Sequence, residues 1–447
     1  MDRRRSRAGE LLSRDRACVW HPFTQAATAP EPLPVVRARG VWLELADGRR
    51  VLDAISSWWT NLHGHGHPAI TEAIAKQAEE LDHVLFAGCT HPPAVEVSER
   101  LLDLAPPGLT RVFYSDDGST AIEVALKMAF QYWSNCGRAG KRRFVALEHA
   151  YHGDTVGAMS VGDPADFSGT FSDLLFPVAR VHTASCHHCP LGLERRSCSI
   201  DCLEQLRELL SARSEEIAAV IVEPMVHAAG GMILTPPEFL RGVADLCRQH
   251  EALLITDEVM TGFGRTGRLF AVEHAGVSPD LMCVAKGLTG GVLPLAATLA
   301  TEEIYEAFHH SEWHRAFLHG HSFTANPIAC AAAGANLRIF KEEPVLERVA
   351  AIEAQYRKRL PALRSHPRVG DVRWLGSLGV VELREQDSGY FSDAGPRLRA
   401  AFLERGILLR PLGPVLYLLP PYAIQTEELE AVFTALEEIL DSELDRG

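Results

Sequence analysis

The sequence predicts an α/β fold: a large, mainly parallel-sheet α/β domain plus a small α+β domain built from both termini. Short runs that are apolar on both faces recur through the middle of the chain, as in a parallel sheet covered on both sides. Helical stretches separate them. The two ends read differently, with a hairpin near the start and isolated strands among helices near the finish.

Taken in order, Val41–Leu52 (VWLELADGRRVL) is a hairpin turning at Asp47-Gly48. Arg111–Ser115 is a strand that leads into a helix over Ala121–Trp133. Arg143–Leu147, Ile217–Val222, Ala252–Thr256, Leu281–Ala285 and Ala296–Ala300 complete the central set. Gly379–Leu383 and Leu416–Leu419 are the late strands. Residues 1–61 and 336–447 are expected to form the two parts of the small domain, around a large domain of residues 62–335.

Composition narrows the function. The chain has 447 residues, 47% hydrophobic and 23% charged, which is ordinary for a globular enzyme. Its net charge of −14 argues against nucleic acid as a partner, because phosphate binding draws on Lys and Arg. No apolar run approaches the roughly 20 residues that span a bilayer. The opening MDRRRSRAGELLSRDRACVW mixes Arg with acidic residues around no apolar core, so a signal peptide is not expected and a cytoplasmic location is. Ten cysteines are too dilute for a disulfide framework.

In an open parallel sheet, ligands sit beyond the carboxyl ends of the strands. The polar residues just after each apolar run therefore carry the information. Lys286 follows LMCVA directly, where burial favours the neutral amine that a Schiff-base lysine needs. Asp257 follows ALLIT and could hold the proton on a pyridine nitrogen. Gly118-Ser119-Thr120 opens a helix after VFYS and offers N–H groups and hydroxyls to a phosphate. A lysine, an aspartate and a phosphate cradle after three different strands are what pyridoxal 5'-phosphate (PLP) requires. Alone, Lys286 also reads as a strand-end lysine reaching water.

Three other motifs compete. Gly262-Phe263-Gly264-Arg265-Thr266-Gly267 has dinucleotide spacing, but no strand ending in an acidic residue follows about 20 positions later. His63-Gly64-His65-Gly66-His67 has no acidic partner nearby in sequence to orient its rings, which argues for a loop over a metal site. Cys186, Cys189, Cys198 and Cys202, spaced C-x2-C-x8-C-x3-C, permit a structural zinc site or an iron–sulfur centre, or else are unconnected thiols in a surface insertion.

Asp257-Glu258-Val259, the Gly262–Gly267 run and Lys286-Gly287 together resemble the signature of the class III PLP-dependent aminotransferases, over about residues 20 to 440. Trp20-His21-Pro22-Phe23-Thr24, Ser56-Ser57-Trp58-Trp59, Tyr151-His152-Gly153-Asp154-Thr155 and Arg410-Pro411…Tyr417…Pro420-Pro421-Tyr422 narrow the resemblance. They are similar to the branch that aminates 8-amino-7-oxononanoate in biotin synthesis. The resemblance implies a fold type I homodimer with active sites at the subunit interface. Lys286 would carry the cofactor and shuttle a proton, Asp257 would pair with the pyridine nitrogen, and Tyr151 would stack on the ring. Gly118 and Ser119 would bind phosphate, His321 would contact the cofactor, and Ser322, in Gly320-His321-Ser322-Phe323, would reach the phosphate from the partner subunit. Phe23, Trp58, Tyr151, Lys286, Gly320, Arg410 and Tyr417 would contact substrate, with Arg410 receiving its distal carboxylate.

Adjacent residues of a strand face opposite ways, so at least one of Trp58 and Trp59 is expected to be structural. Many relatives have Tyr in place of Phe23, and some have Gly-Pro-Thr in place of Gly320-His321-Ser322. Both departures bear on the donor, S-adenosylmethionine by resemblance with lysine second. The rival readings are an ω-aminotransferase for a diamine, ornithine or 4-aminobutyrate, and a metal-binding scaffold with no catalysis.

Overall fold

The structure is a computed structural model and describes residues 2–163, 169–385, 389 and 392–444. Its centre is a seven-stranded sheet. In chain order the strands are β1 (Leu109–Ser115), β2 (Arg143–Leu147), β3 (Ala179–Val181), β4 (Ile217–Val222), β5 (Leu253–Asp257), β6 (Leu281–Val284) and β7 (Ala296–Thr301). Across the sheet they run β1-β7-β6-β5-β4-β2-β3. The pairs from β6 to β3 are parallel, whereas β7 is antiparallel to both β6 and β1.

The predicted strands are present to within two residues at either end. The direction of β7 is new information. A strand buried on both faces reads the same whichever way it runs, so its pattern could not announce the reversal. The three-residue edge strand β3 is too short to show a period.

The helix after β1, α1 (Gly118–Asn135), starts at a capping box. Asp117 accepts from the Thr120 backbone N–H at 2.9 Å, and Thr120 Oγ1 accepts from the Asp117 N–H at 3.1 Å. Helices starting at Pro68, Pro92, Pro237 and Pro327 place proline in the first turn, where its missing N–H costs nothing.

Two smaller sheets come from the ends. Val35–Arg39, Trp42–Leu45 and Arg50–Asp53 form an antiparallel set, and Ile407–Leu408 joins it parallel to Arg50–Asp53. The termini therefore meet in one sheet. Val369–Leu375, Leu378–Leu383 and Val415–Leu418 form the other. Helix Pro327–Glu342 packs on Pro68–Glu80 and Pro92–Leu104 and runs across position 335, where the sequence places a domain boundary. An Arg-rich helix, Asp2–Cys18, precedes all of this. Among the described residues, no helix is long and apolar enough to cross a membrane.

Candidate active site

Asp257 ends β5, Ala285-Lys286 follows β6, and Asp116-Asp117 joins β1 to α1. All of these residues line one cleft of about 460 Å³ beyond the strand ends. Asp257 is buried there. Its Oδ2 lies 2.7 Å from His152 Nδ1 and its Oδ1 accepts the Val259 N–H at 3.0 Å. Lys286 is held in the left-handed region at φ 44°, a conformation that costs on the order of 1–3 kcal/mol for a non-glycine. Burial pushes its amine below the usual lysine range, against the upward pull of Asp257 and Glu223. Its Nζ stands 5.3 Å from the centroid of Trp59.

Glu223 was not singled out from the sequence. It follows β4 directly, so the rule that found Asp257 and Lys286 also covers it. It is buried, and its carboxylate accepts from the N–H groups of Tyr151 (3.0 Å) and Ala228 (3.1 Å). Burial raises its pKa to about 7, with the Asp257 charge adding to the rise and His152 opposing it. Tyr151 lines the cleft and an adjoining compartment shared with Phe23, Trp58, Trp59 and Lys286.

The two tryptophans do not sit on a strand. Ser56, Ser57, Trp58 and Trp59 all have positive φ, between 44° and 71°, so the segment is a left-handed turn and both indoles line the compartment. Buried partners hold it there. Asp53 accepts from Ser57 N (2.9 Å) and Ser57 Oγ (2.7 Å), and Ser56 Oγ donates to the Leu419 carbonyl at 2.7 Å. Arg265, from the Gly262–Gly267 run, donates to Ser56 Oγ at 3.1 Å and the Asn61 carbonyl at 3.1 Å. That run thus contributes a buried clamp.

Phe23 meets Trp58 edge-on at 5.4 Å, and the Arg410 guanidinium lies 4.3 Å over the Trp58 ring. Arg399 is near enough for the Arg410 charge to depress its pKa, after the larger effect of burial. Among the described residues, neither arginine has a carboxylate partner.

The family profile described as Aminotransferase class-III matches residues 24–440. The chain belongs to the class-III aminotransferases. It is 47% identical to the adenosylmethionine-8-amino-7-oxononanoate aminotransferase of Synechococcus elongatus, over 95% of this chain and 98% of that one. The crystal structure of the enzyme of that name from Methanocaldococcus jannaschii superposes with a TM-score of 0.89 at 37% identity, covering 96% of this chain and 99% of the other. An aminotransferase from Bacillus anthracis superposes at 0.91 with 31% identity, covering 98% and 99%.

As a class-III aminotransferase the chain uses PLP, and the cleft fits it. A Cβ on Gly118 would come within 2.6 Å of Val259 Cγ1, and one on Gly153 within 2.2 Å of Ser119 Cβ, so bare backbone shapes the wall at the start of α1. The Gly118 and Ser119 N–H groups that open the helix have no intrahelical partner and would serve an anion, whereas that of Thr120 is taken by Asp117. The Ser119 hydroxyl donates to Asp117 Oδ1 at 2.7 Å and must rotate to reach a phosphate.

Several expected contacts fall elsewhere in this class-III aminotransferase. Tyr417, expected at the substrate, is buried behind Trp59, whose Nε1 donates to its Oη at 3.0 Å, and it lines neither cavity. Gly320, His321 and Ser322 do not line this chain's own cleft. Gly320 and Ser322 are exposed, and His321 Nε2 stands 3.8 Å from Asp116 Oδ1.

The three imidazoles of residues 63–67 take separate partners: Asn336 for His63 (2.7 Å), Asp53 for His65 (3.0 Å) and Glu343 for His67 (3.3 Å). Two of these partners are acidic, Asp53 from the preceding strand and Glu343 from far along the chain. Cys186, Cys189, Cys198 and Cys202 do converge on one small cavity. Their sulfurs are more widely spaced than expected of a closed site. Among the described residues, the one trio of potential ligand atoms within 4.8 Å of one another is His187, His188 and Glu382.

Proposed function

We propose that this class-III aminotransferase transfers an amino group to the 7-oxo carbon of 8-amino-7-oxononanoate, with S-adenosylmethionine as donor, as a cytoplasmic homodimer in biotin synthesis. The relatives carry that name. The observation that carries the reading here is Arg410 over the Trp58 ring, which with Phe23 lines the compartment that Lys286 also lines, although Arg410 itself lines neither cavity. An acceptor with a methylene chain ending in a carboxylate needs apolar walls and a cation at the far end. The apolar compartment supplies the walls, and two neighbouring arginines, without a carboxylate partner among the described residues, supply the cation.

PLP, when bound, stores the amino group between half-reactions and draws electrons from the carbon that bears it. Asp257, oriented by His152, holds the proton on the ring nitrogen. Lys286, its amine pushed by burial below the usual lysine range, would take the proton from the amine-bearing carbon of the substrate and pass it to the cofactor carbon that receives the amino group. Trp59 flanks the amine and keeps water from it. In the homodimer, the exposed Ser322 of one subunit would reach the phosphate site of the other. A metal on the cysteine cluster takes no part in the chemistry, since that cavity shares no lining residue with the cleft.

Single-turnover spectroscopy with each donor tests the reading. Rapid conversion of the cofactor to its amine form by S-adenosylmethionine, and its reversal by 8-amino-7-oxononanoate, is the expected result. Conversion by lysine with none by S-adenosylmethionine would reassign the donor. Reversal by 4-aminobutyrate- or ornithine-derived aldehydes, with none by 8-amino-7-oxononanoate, would overturn the acceptor.

A further inference from the structure

Residues 182–200 contain no helix or strand between β3 and the short turn Asp201–Leu203. An irregular stretch of that length in a compact domain needs something to hold it. Apolar packing anchors only its ends, where Ala184 is buried and Ile200 packs on the core, while Leu191 and Leu193 in its middle are exposed. Four thiols, none in a disulfide, line a cavity of about 20 Å³ instead. That volume suits one atom-sized guest. Arg195 also lines the cavity and pairs with Glu238 at 3.2 Å.

The histidines between the first two cysteines point elsewhere. His188 Nε2 lies 2.6 Å from Glu382 Oε1 and His187 Nε2 lies 3.6 Å from Glu382 Oε2. Arg373 already occupies Glu382 at 2.8 Å and donates to the carbonyls of Gly231 (2.7 Å) and Met232 (2.9 Å). A cation is thus built into the closely packed trio, which makes it an ion-pair hub and a poor metal site. The sulfurs are left as the ligand set.

We propose that Cys186, Cys189, Cys198 and Cys202 bind one zinc-type divalent ion, which pins residues 182–200 and seats His187 and His188 on Glu382 of strand Leu378–Leu383. The four thiols give up their protons to solvent as four metal–sulfur bonds form at about 2.3 Å, drawing the sulfurs to about 3.8 Å apart. The site is structural and does not rest on the transamination reading.

The test is elemental analysis of untagged holoenzyme, with metal release by a mercurial followed by a chromophoric chelator. About one zinc per chain is expected, with these four thiols reacting with an alkylating reagent only after release. The double variant Cys186→Ser, Cys189→Ser should lose that zinc and keep the cofactor's visible absorbance. Metal far below one equivalent with all four thiols reactive, disulfides among them, or iron with inorganic sulfide would overturn the proposal. Should the double variant not accumulate, wild-type stoichiometry and thiol protection decide alone.

Discussion

His152 Nδ1 lies 2.7 Å from Asp257 Oδ2, and both side chains are buried. With the proton on Nδ1, the imidazole donates to the carboxylate while the Val259 N–H holds the other oxygen. Asp257 is thereby fixed at the end of β5 with lone pairs left for a ring nitrogen.

Replacing Asp257 with Asn keeps the shape and removes the charge. The variant is expected to retain PLP, measured by its visible absorbance, while losing most turnover. An amide does not hold a pyridinium proton as a carboxylate does. Near-normal turnover would reduce Asp257 to a structural role.

Arg410 lies over Trp58 beside Arg399. Arg410→Ala is expected to weaken the half-reaction with 8-amino-7-oxononanoate by on the order of 2–5 kcal/mol, the cost of truncating one side of a charge-assisted, partly buried pair. The half-reaction with an amine donor that does not use this contact should change far less. Equal damage to both, measured by stopped-flow spectroscopy, would point to a general structural defect.

His63 is buried against Asn336, and burial pushes its imidazole down to about 4. The unfolded chain takes up a proton there near pH 6.5, whereas the folded chain resists until about pH 4. Between those values the unfolded state binds more protons, so stability is full above about pH 6.5 and falls as pH drops. The loss from this group is on the order of 3 kcal/mol. Buried His227, pushed down to about 3, acts in the same direction. Urea midpoints at pH 7 and pH 4.5 should differ less in His63→Gln than in the wild-type chain. An equal fall in both would assign the acid sensitivity elsewhere.

Lys286 and Asp257 were legible because each stands at the carboxyl end of a buried strand, where an α/β sheet presents its ligands. Glu223 obeys the same rule but had no role to attract notice until Tyr151 and Ala228 were seen on its carboxylate. His152 gains its meaning from Asp257, which lies far along the chain. The left-handed turn of Ser56–Trp59 could not be read locally, because Asp53, Leu419 and Arg265 enforce it from three parts of the sequence. A strand period therefore separated two tryptophans that the fold places on one compartment. The direction of β7 and the partners of His65 and His67 escaped for the same reason: long-range pairing leaves no local period.

The central claim is that the Lys286 amine performs the proton transfer of an amino exchange. Rapid-quench turnover of Lys286→Ala, alongside its circular dichroism and cofactor content, tests this most directly. The account predicts a folded chain that still binds PLP at the strand ends and has no measurable transamination. Appreciable transamination by that variant, without added amine, would contradict it.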